Sequence, residues 1–185
     1  MRALLDRFYN LSLNLAAACL LLIAALVGAQ VAGRIYDGML KLFGFAPYGF
    51  LVASLAEIAG YLLAAASFLA LAATLKRGAH IRVTIVLGFV SPRIRHVLEI
   101  WILAVATVSV AFVCWSLLTF VHESYVFKEV SYGIVPMPLW IPQAVMTSGA
   151  LVLLLALIDE LILVLRGFAP SYRSHEDVVV VSKEG

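Results

Sequence analysis

Charge is scarce in this chain. Only 24 of its 185 residues are Asp, Glu, Lys or Arg, 13% against 64% hydrophobic. A water-soluble domain of this size carries about 25% charged residues, so the composition excludes one and implies an integral membrane protein with most of its length in the bilayer. Cysteine is nearly absent too. Cys19 and Cys114 both fall inside apolar stretches, away from oxidising solvent and without metal-ligand spacing, and read as small apolar side chains. Histidine is missing from the middle of every apolar stretch: His80, His96, His122 and His175 lie at the edges or in the polar tail. Haem ligation within a helical bundle needs imidazoles at matching depth on facing helices, so no cofactor is expected. The chain also lacks a glycine-rich phosphate loop, a nucleophile motif and paired carboxylates in a polar setting. No enzymatic activity and no nucleic-acid partner are expected.

What is present is four apolar segments, about 11–33, 50–75, 97–121 and 137–165. Each is long enough for a hydrocarbon core that needs roughly 20 apolar residues. The expected fold is therefore an all-α membrane protein with four transmembrane helices over 1–168, followed by a polar cytoplasmic tail over 169–185. The run after Arg2 and Arg7 imitates a signal peptide but is too long for one, and reads as a retained first span. Charge placement sets the orientation. The N-terminal flank, the second connection and the C-terminal flank hold ten of the thirteen Lys and Arg residues. The positive-inside rule then puts both termini in the cytoplasm, with a multi-pass location in a bacterial inner membrane.

The connections differ in character. Gly38, Gly44, Pro47 and Gly49 mark 34–49 as a turn-rich external loop. The second connection contains 81–90, apolar but too short to span, which fits a short interfacial segment. Arg82, Arg93 and Arg95 are candidates for contact with anionic lipid head groups at that inner surface. His122 to Ser131 reads as a short acidic external loop. Glu99 reads as an interfacial residue paired locally with Arg95 or His96. In the fourth segment the prolines at 136, 138 and 142 suit a first helical turn, and Trp140 suits an interfacial anchor.

The second segment carries small residues at helical spacing: Ala56, Gly60 and Ala64, and separately Ala66 and Ala70. Such faces allow close helix approach in lipid. Glu57 is the one carboxylate of this segment. It reads as lying about seven residues, roughly 10 Å, into the span. An intramembrane carboxylate usually meets protein or water rather than lipid. Glu57, Gly60, Tyr61, Ala64 and Trp140 are therefore the candidate packing or subunit-interface residues. Polar residues elsewhere in the apolar segments (Asn14, Gln30, Ser67, Gln143) are too few to outline a transport pathway.

Two motifs carry a family resemblance. One runs from Glu57 to Val83 and ends in Lys76-Arg77-Gly78-Ala79-His80-Ile81-Arg82-Val83. The other is Met137-Pro138-Leu139-Trp140-Ile141-Pro142 followed by Gly149. In this order and spacing the chain resembles the small membrane subunit of tripartite ATP-independent periplasmic (TRAP) transporters. It departs from that pattern at Ala56 and Ile58, where a second acid is common, at Gly60, where an arginine is common, and at Thr84, where an aspartate is common. The resemblance implies a non-catalytic scaffold beside a large multi-span transport subunit. That subunit moves substrate by a sodium-driven elevator motion, and a periplasmic binding protein delivers organic acids or related anions. The competing expectation is a self-assembling four-span channel or carrier.

Overall fold

The computed structural model describes residues 2–76 and 92–167. These form four helices: α1 (Arg2–Leu42), α2 (Leu55–Lys76), α3 (Pro92–Val126) and α4 (Trp140–Leu165). All four contain stretches long and apolar enough to cross a membrane. Arg82 and the expected interfacial segment lie outside the described residues, as does the tail 169–185. For Arg93 and Arg95 the backbone in α3 is described.

The helices pack as a row. α1 lies on α2, α2 on α4, and α4 on α3, with a minor contact between α1 and α4. One end holds the C-termini of α1 and α3 and the N-termini of α2 and α4; it is called the distal end below. In lipid an apolar side chain gains nothing by leaving the surface, so size rather than hydrophobicity selects the contact faces. Small residues make up about half of the buried apolar positions, Ala16 of α1, Ala65, Ala66, Ala72 and Ala73 of α2, and Gly149, Ala150 and Ala156 of α4, beside larger ones such as Tyr9, Leu69, Leu103 and Leu157. α4 is buried on two sides, toward α2 through Val152 and Ala156 and toward α3 through Leu157 and Val164. Several serine and threonine hydroxyls within the helices return hydrogen bonds to carbonyls three or four residues back, as from Ser67 to Leu63 and from Thr107 to Leu103, which satisfies them without water.

α1 buries a narrow seam. Its less exposed positions are Leu5, Tyr9, Ser12, Ala16, Cys19, Ile23, Leu26, Gln30, Gly33, Asp37 and Leu40, with Leu13 beside them. These recur alternately three and four apart, the pattern of a left-handed helix pair. The seam is fixed by the Ser12 hydroxyl, which donates to the Leu69 carbonyl of α2 at 2.6 Å.

Several boundaries differ from the sequence expectation. Most of the loop expected over 34–49 is helix: α1 continues to Leu42, because Gly38 costs only about 1 kcal/mol in a helix and its neighbours propagate one. The true stop is Gly44, at φ +78. There Phe45 N donates to Leu40 O at 2.8 Å and Gly44 N to Lys41 O at 3.1 Å, a Schellman termination. α3 likewise runs past His122 to Val126. It ends the same way on Lys128, at φ 51, with Glu129 N donating to Ser124 O at 3.1 Å. Glu99 is only 6% exposed, one residue from Ile100 in the α3–α4 contact.

Candidate subunit-contact site

At the distal end two connections fold back onto helices. The first, 45–52, descends along α1. Asp37 accepts from the amides of Tyr48 at 2.8 Å and Gly49 at 3.0 Å. Gln30 Oε1 accepts from Val52 N at 3.3 Å. Between them the Phe50 ring lies against Gly33, so close that a Cβ there would stand 2.6 Å from it. This segment is thus a strap tied to α1 at three successive levels.

The second connection, 127–139, closes on itself through an isolated bridge between Val130 and Pro138. Ser131 N donates to Met137 O at 2.9 Å and Leu139 N to Glu129 O at 3.0 Å. Ser131 Oγ accepts from Met137 N at 3.1 Å, and the fully buried Ser124 donates to Glu129 at 2.6 Å. The connection then lies over the start of α2. Ser54 Oγ accepts from Val135 N at 3.1 Å. Gly133 sits against Ser54 and the Glu57 carboxylate, where any Cβ would collide with both.

The candidate residues sort accordingly. Glu57 is in the first turn of α2 rather than seven residues into a span, because residues 50–54 form the strap and its exit instead of helix. A carboxylate is favourable there against the helix dipole, and Glu57 accepts from the Tyr61 hydroxyl at 3.0 Å. Glu57 and Tyr61 therefore make contacts within the chain. Trp140 packs edge-on against Tyr125, ring centroids 5.7 Å apart, tying the start of α4 to the end of α3. Gly60 is exposed and a Cβ there would meet nothing within 4 Å. Ala56 is exposed and Ala64 half-buried, so this series faces away from the buried side of α2.

The proximal end has its own polar contact, which sequence reading missed. Lys76 Nζ lies 2.8 Å from Asp159 Oδ2 and 4.5 Å from the centre of the Tyr9 ring, joining α2, α4 and α1. Glu160, next to Asp159, is fully buried. The available signal was the combination of a lysine closing one apolar segment and an acid pair closing another. Among the described residues no group of three or more His, Cys, Asp or Glu is placed to hold a metal ion.

The sequence pattern of a family described as "Tripartite ATP-independent periplasmic transporters, DctQ component" matches residues 53–167. The chain belongs to the DctQ family. The match covers α2, α3, α4 and both motifs singled out above, and leaves α1 before it. No individual curated protein matches the chain. As a DctQ-family member it is a transporter subunit and a multi-pass protein of the inner membrane.

One prediction arises from the Glu57 latch. Glu57→Ala removes the acceptor for Tyr61 and the negative charge from the α2 N-terminus. It should lower stability by about 1–2 kcal/mol, whereas Glu57→Gln keeps an acceptor oxygen and should cost less than half of that. Thermal unfolding of the purified protein in mild detergent distinguishes them, and equal losses would show that the hydrogen bond contributes nothing.

Proposed function

We propose that this DctQ-family chain is the non-catalytic scaffold of a sodium-driven, binding-protein-dependent importer of organic acids or related anions, standing beside a large elevator-type membrane subunit. The observation that carries the reading is the row of helices. Apolar residues fill the contacts between neighbours, many of them small where α2 meets α1 and α4, with leucine and valine where α4 meets α3, and polar clusters lie at the two ends, Glu57 with Tyr61 and Ser54 distally and Lys76 with Asp159 proximally. A row also leaves broad apolar helix faces open for lipid or another membrane protein. The face of α2 bearing Gly60 and Ala64 has the small-residue character that suits close helix approach. Glu57, Tyr61 and Trp140 act by holding the distal end in shape.

The distal end faces the periplasm and both termini the cytoplasm, following the distribution of Lys and Arg. The large subunit is the permanent partner, the periplasmic binding protein docks transiently, and Arg82, Arg93 and Arg95 meet anionic lipids. Co-expression with the large membrane subunit should yield a one-to-one complex in mild detergent, and the chain alone in liposomes should conduct no substrate. Recovery of the chain as a clean monomer would overturn the reading. Flux through the chain alone would favour a self-assembling channel or carrier.

A further inference from the structure

α1 is longer than the bundle that it belongs to. Ser12 contacts Leu69, and Tyr9 packs with Ala72. This antiparallel register brings the first residue of α2, Leu55, level with about residue 26 of α1 at 1.5 Å rise on both helices. α1 continues to Leu42, roughly 15 residues or ~22 Å further.

That extension lies beyond the hydrocarbon. The 22 residues of α2 measure ~33 Å, one hydrocarbon thickness. The chain over 45–54 is not helical, and irregular backbone cannot face lipid tails. The Glu57–Ser54–Gly133 cluster and the Tyr125–Trp140 pair lie at the first turns of α2 and α4 on the distal end, where aromatic and polar groups suit a membrane boundary. The head-group layer beyond it is only about 5–8 Å deep. More than half of the extension therefore stands clear of the bilayer, whichever side the distal end occupies.

It is nevertheless apolar on one side. The strap holds the side bearing Gln30, Gly33 and Asp37. Leu20, Val27, Val31, Ile35, Met39 and Leu42 are all exposed, and at spacings of seven, four, four, four and three they form one stripe along the helix. This stripe starts inside the bilayer and continues past it without a break. Lipid can cover only its lower part, and a soluble protein only its upper part. An apolar surface of this kind is characteristic of permanent contact rather than an encounter that forms and dissolves.

We propose that this stripe of α1, braced by the 45–52 strap, is a docking rail for the large membrane subunit, which crosses the bilayer and rises beyond it along α1. The proposal rests on the scaffold reading above. It is tested in membranes that contain the chain together with its large subunit. A photoreactive benzoylphenylalanine at Ile35 or Met39 should form an adduct with the large subunit, and one at Val108 on the exposed side of α3 should not. The double substitution Ile35→Asp with Met39→Asp, which puts two charges on the rail, should reduce co-purification of the large subunit about tenfold or more while leaving thermal unfolding of the isolated chain unchanged. Adducts with a second copy of the chain or with lipid alone, or undiminished co-purification, would overturn the rail and leave the scaffold reading standing. Failure of the unaltered chain to recover any large subunit would bring down both.

Discussion

Replacing Gly149 by leucine will push α2 and α4 apart and unfold the bundle at a temperature well below that of the unaltered protein. Gly149 is buried, and a Cβ at this position would stand 2.6 Å from the Phe68 carbonyl carbon, 2.7 Å from its oxygen and 2.8 Å from Leu69 N. These are backbone atoms, so no side chain can swing aside. Nor can α2 retreat. Its other side is held at the same level by the Ser12–Leu69 hydrogen bond of 2.6 Å and by the packing of Ala16 on Ala66 and Leu69. Overpacking a tight contact costs about 1–3 kcal/mol, and a single methyl, Gly149→Ala, should fall in that range even after the roughly 1 kcal/mol that alanine gains over glycine in a helix. Leucine exceeds it. Gly28→Ala is the control: that helical glycine has open space where its Cβ would go, so only the propensity gain remains and stability should rise slightly. Thermal unfolding in mild detergent measures all three, and equal behaviour at 28 and 149 would refute the close approach.

The contrast between these glycines bears on how much the sequence could reveal. Four helices were readable because bilayer thickness imposes a minimum apolar length, and every segment exceeded it. Helix ends were not, because hydropathy measures where lipid can sit rather than how far a helix propagates. Arg34, Asp37 and Lys41 end the uncharged run, yet α1 passes through them to Leu42. At the start of α2 the error reverses: Phe50, Leu51 and Val52 are apolar, but they belong to the strap on α1, a contact that depends on Gln30 and Gly33 many residues earlier. That displacement put Glu57 at the wrong depth. The buried faces were equally hard to read. When every side of a helix is apolar, the series Ala56, Gly60, Ala64 and the pair Ala66, Ala70 look alike in sequence, yet Ala66 is buried with Ala70 packed beside it while Ala56 and Gly60 are exposed. Asp159 and Glu160 show the same limit. They are adjacent, but ~100° of helical rotation separates them, so one meets Lys76 and the other turns inward.

Breaking the Lys76–Asp159 pair should be costly, and the cost should be asymmetric. The side chains are 17% and 23% exposed, enough for partial screening but too little for the near-zero worth of a surface pair. Lys76→Met strands the Asp159 carboxylate beside the fully buried Glu160 and removes the cation above the Tyr9 ring, loosening three helices together. The loss should approach the roughly 3 kcal/mol found on breaking buried pairs. Asp159→Leu should cost less, since a lysine at the end of a membrane helix can extend its stem and carry its charge to the head groups, whereas an aspartate has no such reach. Combining the two replaces an ion pair with apolar groups, an exchange that is often close to neutral. The double variant should therefore be more stable than Lys76→Met alone, with a coupling of about 1–3 kcal/mol in the cycle. Lys76→Arg, which keeps the charge, should lose least. Melting temperatures of the five proteins in one detergent test the order, and strictly additive losses would mean that the two side chains contribute independently despite their 2.8 Å separation.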